Sequence, residues 1–441
     1  MLHGQVSGPL HTRNLKSTTK TLTTATLFTT VSLLAIAAFS APAHAQLSLG
    51  SVTNIGDPFA CPASGWYSYN AGGGTVYSMS CFGATLSSCS NAQDIGFTFG
   101  YLSPSGIITG SVKGVIVFFN GSGGEEPAGD ATGTPAGEFD FTDYYFKQGY
   151  EIVQIAWGSD WEQNQTSYSP GQYGNIQNAA CRPATFLNYV YNSIYKPVQQ
   201  SYPSAGMCAQ GASGGSGAVA YSLAYYGAGS WLDNVELISG PVFGDIKQGC
   251  QVGPTAPSVT VCGQNGGSQY GCQLGAGGST WTLSPEYITP AVTSVGIWTN
   301  DTSCGGSNST SSASNLRWWQ QSIVDDGTNS PTFTYPNTAM SGWLCRSVSN
   351  PHNINCATNF NPNYCPNNTS PQGQIFYAQI GSSNSPPHYD VYAVDQCNGP
   401  EGVTSGNVPG VTSNPTGLIA IEQDMAGGNI LPAQCFHGIH H

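Results

Sequence analysis

The chain has 441 residues, and only 7% of them are Asp, Glu, Lys or Arg, against about 25% in an average soluble domain. Its 23 acidic residues outnumber ten basic ones for a formal net charge of −13, which argues against a nucleic-acid partner gripped through its phosphates. With so few charges, the surface must be built largely from Ser, Thr, Asn, Gln and Gly.

In chain order, Arg13, Lys16 and Lys20 precede the apolar run LFTTVSLLAIAAF (27–39) and then APAHAQ, in which Ala43 and Ala45 flank His44. A basic start, a short apolar centre and an A-x-A site read as a secretory signal peptide cleaved after Ala45. The apolar centre is shorter than the ~20 residues of a spanning helix, and no later stretch is long and apolar enough, so no membrane span is expected. The mature chain, 46–441, is expected to be a single secreted domain, extracellular or periplasmic. All 14 cysteines lie beyond the leader, which in an exported chain reads as up to seven disulfides rather than a metal scaffold. Two close pairs, Cys262/Cys272 and Cys356/Cys365, suggest local staples.

Between about 75 and 240, short apolar runs alternate with longer amphipathic ones, the signal for βαβ units and a mostly parallel sheet. TVYSMSCF (75–82) and IGFTFGYL (95–102) alternate and predict antiparallel strands, whereas GVIVFF (114–119) and EIVQIAW (151–157) are continuous and predict buried ones. GEFDFTDYYFKQG (137–149) has helical spacing of its aromatics, and 175–195 predicts a longer helix with one proline. A short strand ending in MCAQG, a turn at Ser213, a helix over 216–227 and a strand over 234–242 follow. From Cys250 to about 331 a Gly, Ser, Asn and Thr-rich stretch predicts a disulfide-braced lid or, alternatively, a second small domain. A strand within 331–344, a helix over 370–380, a strand over 389–396 and a helix over 416–428 close the chain.

Gly211-Ala212-Ser213-Gly214-Gly215 matches G-x-S-x-G, but in a chain with 57 glycines one such match is expected by chance. It gains meaning from the strand predicted before it and the helix after it, the context of a nucleophile elbow. A second glycine cluster, Asn120-Gly121-Ser122-Gly123-Gly124, follows the buried strand at 114–119. In element order and in these two loops the chain resembles the α/β-hydrolase fold, over about 75–245 and less surely 331–441. The resemblance implies a serine nucleophile at Ser213 and an oxyanion hole formed by backbone N–H groups of Gly214 and of Gly123 and Gly124.

The resemblance also implies an acid after the strand before last and a histidine after the final strand, and neither stands there. Arg346 to Asn350 contains no carboxylate, and Glu401 occupies the expected histidine's place. The mature chain has five histidines, His352, His388, His437, His440 and His441. If Cys435 pairs with Cys397 at the end of the final strand, His437 is drawn to the site, which makes it the expected base, with His440 and then His388 as alternatives. Asp245 and Glu401 are both candidates for the orienting acid.

The expectation is therefore a secreted serine hydrolase that cleaves carboxylic esters of small molecules or polymers through an acyl-enzyme, with no cofactor and no metal. A secreted serine peptidase and a catalytically silent binding protein on the same scaffold remain open alternatives.

Overall fold

The computed structural model describes residues 46–62, 65–90, 92–121, 123–127, 141–162, 176–212, 214–238 and 240–241, then 258–260, 280–282, 323, 334–345, 376–377, 380, 389–394, 435 and 437. The lid expected over 250–330 lies largely outside them, as do the predicted helices over 370–380, in most of its length, and 416–428, and the Cys262/Cys272 and Cys356/Cys365 pairs.

The chain enters through the short strands β1 (Ser51–Thr53) and β2 (Phe59–Ala60) and the hairpin pair β3 (Ser68–Gly72) and β4 (Thr75–Ser78). Next come β5 (Ser80–Ser87), β6 (Ile95–Leu102), β7 (Gly114–Phe119), helix α1 (Phe141–Gln148) and β8 (Tyr150–Trp157). Helices α2 (Ile176–Ala179), α3 (Cys181–Val190) and α4 (Lys196–Ser201) lead to β9 (Gly206–Ala212), α5 (Gly214–Tyr226) and β10 (Asn234–Ile238). Pro183 is tolerated in α3 because it falls in the first turn, where no intrahelical donor is lost. Beyond these stand a small antiparallel pair, β11 (Ser258–Thr260) and β12 (Thr280–Thr282), and then β13 (Ala339–Cys345) and β14 (Tyr389–Val394).

One sheet gathers most of these strands in the order β1-β5-β6-β8-β7-β9-β10-β13-β14, with β2 paired to β5. β5 and β6 pair antiparallel with each other, and β6 pairs antiparallel with β8. From β8 to β14 every pairing is parallel. The apolar runs of β7 and β8 are buried along almost their whole length because helices cover both faces of this part of the sheet. α5 is buried at every position, as expected of a helix with apolar or small residues all round. All six strands from β8 to β14 therefore end at one edge, where the C-terminal ends of parallel strands carry the loops that build sites.

Three disulfides are described, Cys61–Cys81, Cys89–Cys181 and Cys208–Cys435. The expected Cys397–Cys435 staple is thus overturned. Cys435 closes on Cys208, near the start of β9, so the tail passes under the opposite edge of the sheet from the one the sequence suggested. The disulfides of the described residues brace the core and its first strands rather than the 250–330 stretch.

Candidate active site

Position 213 falls between the last residue of β9 and the first of α5. Ser213 itself lies outside the described residues, but its flanks define the turn sharply. A Cβ added at Gly211 would lie 2.5 Å from the carbonyl carbon of Gly215 and 2.7 Å from the Ser216 nitrogen. At Gly215 it would lie 2.6 Å from the Asn120 carbonyl oxygen and 2.7 Å from the Phe119 carbonyl carbon. Real Cβ contacts do not come this close, so both glycines are demanded by geometry. The chain folds back on itself across 211–215, and the first turn of α5 rests on the end of β7. The two glycine clusters singled out in the sequence are therefore brought together at one edge of the sheet.

The loop after β7 is itself tightly held. Asn120 Oδ1 accepts from the Gly121 N–H at 2.8 Å, and the Gly121 carbonyl accepts from the Gly124 N–H at 3.0 Å. The carbonyls of Gly123 and Gly124 accept from Trp161 and Trp157 N–H at 3.0 and 2.9 Å, which clamps the loop to the end of β8. Gly124 has a φ of +72°, and the Cα of Asp160 stands 2.6 Å from where a Gly123 Cβ would be. The Gly124 N–H is thus committed inside the turn, which corrects its expected role as an oxyanion donor. Gly214 is the first residue of α5, and the dipole at a helix N-terminus favours developing negative charge.

Beside this loop stands a carboxyl that sequence reading missed. Glu162 is fully buried, and neither of its oxygens has a hydrogen-bond partner among the described residues. Burial first, and the charge of Asp160 second, hold its pKa well above the ordinary carboxylate value. Nothing in the string DWEQN distinguished this glutamate from a surface one.

The structure does not bring His437 to Ser213. His437 Nδ1 lies 3.1 Å from Asp233 Oδ1, the His437 backbone N–H donates to the Ser204 carbonyl at 3.3 Å, and Asp233 Oδ2 accepts from the Met207 backbone N–H at 2.8 Å. These partners surround the start of β9. Six residues of extended strand, ~20 Å, separate Met207 from position 213. The reason is the Cys208–Cys435 bridge, with a Cα–Cα distance of 5.8 Å, which pins the tail to the wrong edge. What results is a half-exposed histidine paired with a buried aspartate. Burial pushes the Asp233 pKa up to about 6, while the Met207 N–H and His437 pull it down. Asp233 gave no signal in the sequence.

Asp245 and Glu401 lie outside the described residues, as do His352, His388, His440 and His441. In chain order Asp245 follows β10 and Glu401 follows β14, both strands that end at the Ser213 edge. Deeper in the sheet, Trp343 Nε1 donates to the buried Glu236 carboxylate and ties β13 to β10. Among the described residues there is no cluster of three metal-ligating side chains and no helix long and apolar enough to cross a membrane.

A mainly parallel sheet of this order, covered by helices on both faces and carrying a strand–turn–helix elbow at its centre, defines the α/β-hydrolase fold, and the chain has it. No protein-family model matches the sequence, and no curated protein matches it. Similar solved structures include a mutant α/β-hydrolase from the metagenome of Lake Arreo, Spain, at 10% identity over 86% of this chain and 82% of that one, with a TM-score of 0.36. Est1E from Butyrivibrio proteoclasticus is 7% identical over 75% of this chain and 93% of its own, with a TM-score of 0.32. An acylaminoacyl peptidase from Pyrococcus horikoshii is 10% identical over 78% of this chain and 46% of its own, with a TM-score of 0.35.

Proposed function

We propose that the protein is an exported serine hydrolase that cleaves carboxylic esters, with Ser213 as nucleophile. The observation that carries this reading is the pair of obligatory glycines around position 213. A chance G-x-S-x-G has no reason to sit where a Cβ at either glycine would strike backbone, whereas an elbow that lifts a serine clear of the sheet needs that close approach. The close approach of the elbow to Phe119 and Asn120 supports it, because it brings a second glycine loop beside the elbow.

In this mechanism the Ser213 hydroxyl loses its proton to a base as Oγ bonds to the ester carbonyl carbon. The N–H groups of Gly214 and Gly123 stabilise the resulting oxyanion. Collapse expels the alcohol and leaves an acyl-serine, which water then cleaves by the same route. Esters are favoured over amides because an alcohol leaves more easily than an amine. Asp245 or Glu401 would orient that base. The displaced His437 is the observation that favours a silent binding protein instead.

The test is hydrolysis of a p-nitrophenyl ester and of a peptide p-nitroanilide by the mature, disulfide-intact chain and its Ser213→Ala variant. Ester turnover that Ser213→Ala removes is the expected result. Anilide cleavage without ester turnover would favour the peptidase, and inactivity on both would favour the binding protein.

A further inference from the structure

Helix α5 starts at the Ser213 turn, and its far end is held as closely as its first turn. It closes on Gly227, whose φ of +72° is the left-handed conformation that commonly ends helices. Its last turn contains no basic residue, so none of its own side chains meets the negative end of its dipole. Residues 46 and 47 stand there instead. The Leu47 backbone N–H donates to the Tyr225 carbonyl at 2.9 Å, one of the carbonyls that a helix leaves without an internal partner in its last turn. The Gln46 side chain lies against Gly227, where an added Cβ would stand 2.6 Å from the Gln46 amide carbon and 2.7 Å from its oxygen. The Gly50 N–H donates to Thr185 Oγ1 of α3 at 2.8 Å, and Leu47 and Leu49 pack against the core. The segment 46–50 is therefore docked along its length.

Gln46 is also the residue that the expected cleavage after Ala45 turns into an amino terminus. One residue of chain spans at most about 3.6 Å, so a Gln46 α-ammonium would stand within roughly 6–7 Å of the Tyr225 carbonyl that Leu47 holds. Before cleavage a neutral peptide group occupies that place.

We propose that cleavage after Ala45 makes Gln46 an N-terminal clasp on α5, with its new ammonium at the helix end and its side-chain amide on Gly227, and that docking keeps these two groups from reacting with each other. The reaction they would otherwise undergo is cyclisation. The free α-amine nitrogen bonds to the side-chain amide carbon, the bond from that carbon to Nε2 breaks, and the amine proton leaves with Nε2 as ammonia, which gives a neutral lactam. The lactam forfeits the charge at the helix end and the amide on Gly227 together, so both contacts oppose it. The clasp ties a processing step at the amino terminus to the helix that begins at the Ser213 turn, and it stands independently of the serine-hydrolase reading.

The experiment follows the disulfide-intact mature chain by N-terminal mapping and intact mass. The chain should begin at Gln46. Its loss of ammonia should be at least ~10-fold slower when folded than in guanidinium chloride at the same pH, because closure must first undock the segment. Gly227→Ala, which displaces the amide, should bring the folded rate toward the unfolded one. A chain begun at His44 keeps the Leu47 bond but has no charge at residue 46, and hydrogen exchange at its Leu47 amide should be faster than in the mature chain. A mature start other than Gln46, equal cyclisation in the folded and unfolded chains, a folded Gly227→Ala variant that cyclises as slowly as the unaltered one, or equal exchange in the two chains overturns the clasp. Should Gly227→Ala fail to fold, the folded and unfolded rates of the unaltered chain decide the matter.

Discussion

Replacing Gly215 with alanine should damage activity far more than stability. The new Cβ would lie 2.6 Å from the Asn120 carbonyl oxygen, whereas a relaxed carbon–oxygen contact is about 3.3 Å. The Phe119 carbonyl oxygen would be closer still, so relief requires the first turn of α5 and the end of β7 to part by about 1 Å. Overpacking of this kind costs about 1–3 kcal/mol, which lowers Tm by only about 1 °C per kcal/mol in a chain of this length. The same displacement moves the Gly214 N–H and the Ser213 turn relative to the glycine loop, and errors of about 1 Å at a reacting centre cost ~10²-fold in rate. Gly83→Ala is the control, since a Cβ there meets nothing within 4 Å. Thermal melts and p-nitrophenyl ester turnover on the three proteins give the comparison. A Gly215→Ala variant as active as Gly83→Ala would refute the reasoning, because the close approach at the elbow would then have no functional consequence.

Other expectations follow from the groups that sequence reading missed. The Glu162 pKa is raised in the folded state, so folding holds that proton more tightly than the unfolded chain does, and stability falls as pH rises above the ordinary Glu value. Glu162→Gln should remove this loss and flatten the Tm–pH curve between pH 4 and 7; parallel curves for the two proteins would contradict it. His437→Ala should keep ester turnover per folded molecule and cost no more than about 1 kcal/mol near neutral pH, because the imidazole is half-exposed. That cost should vanish at pH 4, where Asp233, with its pKa raised to about 6, is protonated and needs no partner. Equal destabilisation at both pH values would argue against the pairing. Removing the Cys208–Cys435 bridge by a double Cys→Ala change opens a loop of 227 residues, for which chain entropy gives a loss of roughly 5 kcal/mol. Denaturant melts should show it, while an unchanged midpoint would mean that the bridge does not form.

Much of the sheet was legible because its signals are local. GVIVFF is a strand at the bounds read from its apolar run, and the turn at Ser213 has the strand and helix expected on either side. The antiparallel entry through 95–102 followed from the alternation of IGFTFGYL. The site was legible only where it, too, is local, in the two glycine clusters. What failed was a long-range inference. Cys435 could pair with any of the other cysteines, and proximity to a predicted final strand favoured Cys397, whereas the buried position of Cys208 in β9 was invisible until the strand order was known. The misplaced tail then carried His437 with it to the other edge. Glu162 and Asp233 were missed for a related reason, since burial alone turns an ordinary carboxylate into a perturbed one.

The most direct test of the central claim is to treat the folded, disulfide-intact chain with a fluorophosphonate and locate the adduct by peptide mapping. The account predicts one adduct, on the peptide that spans residues 207–227, located at Ser213, absent in Ser213→Ala and accompanied by loss of ester turnover. An adduct on another serine, or ester turnover that survives Ser213→Ala, would contradict it.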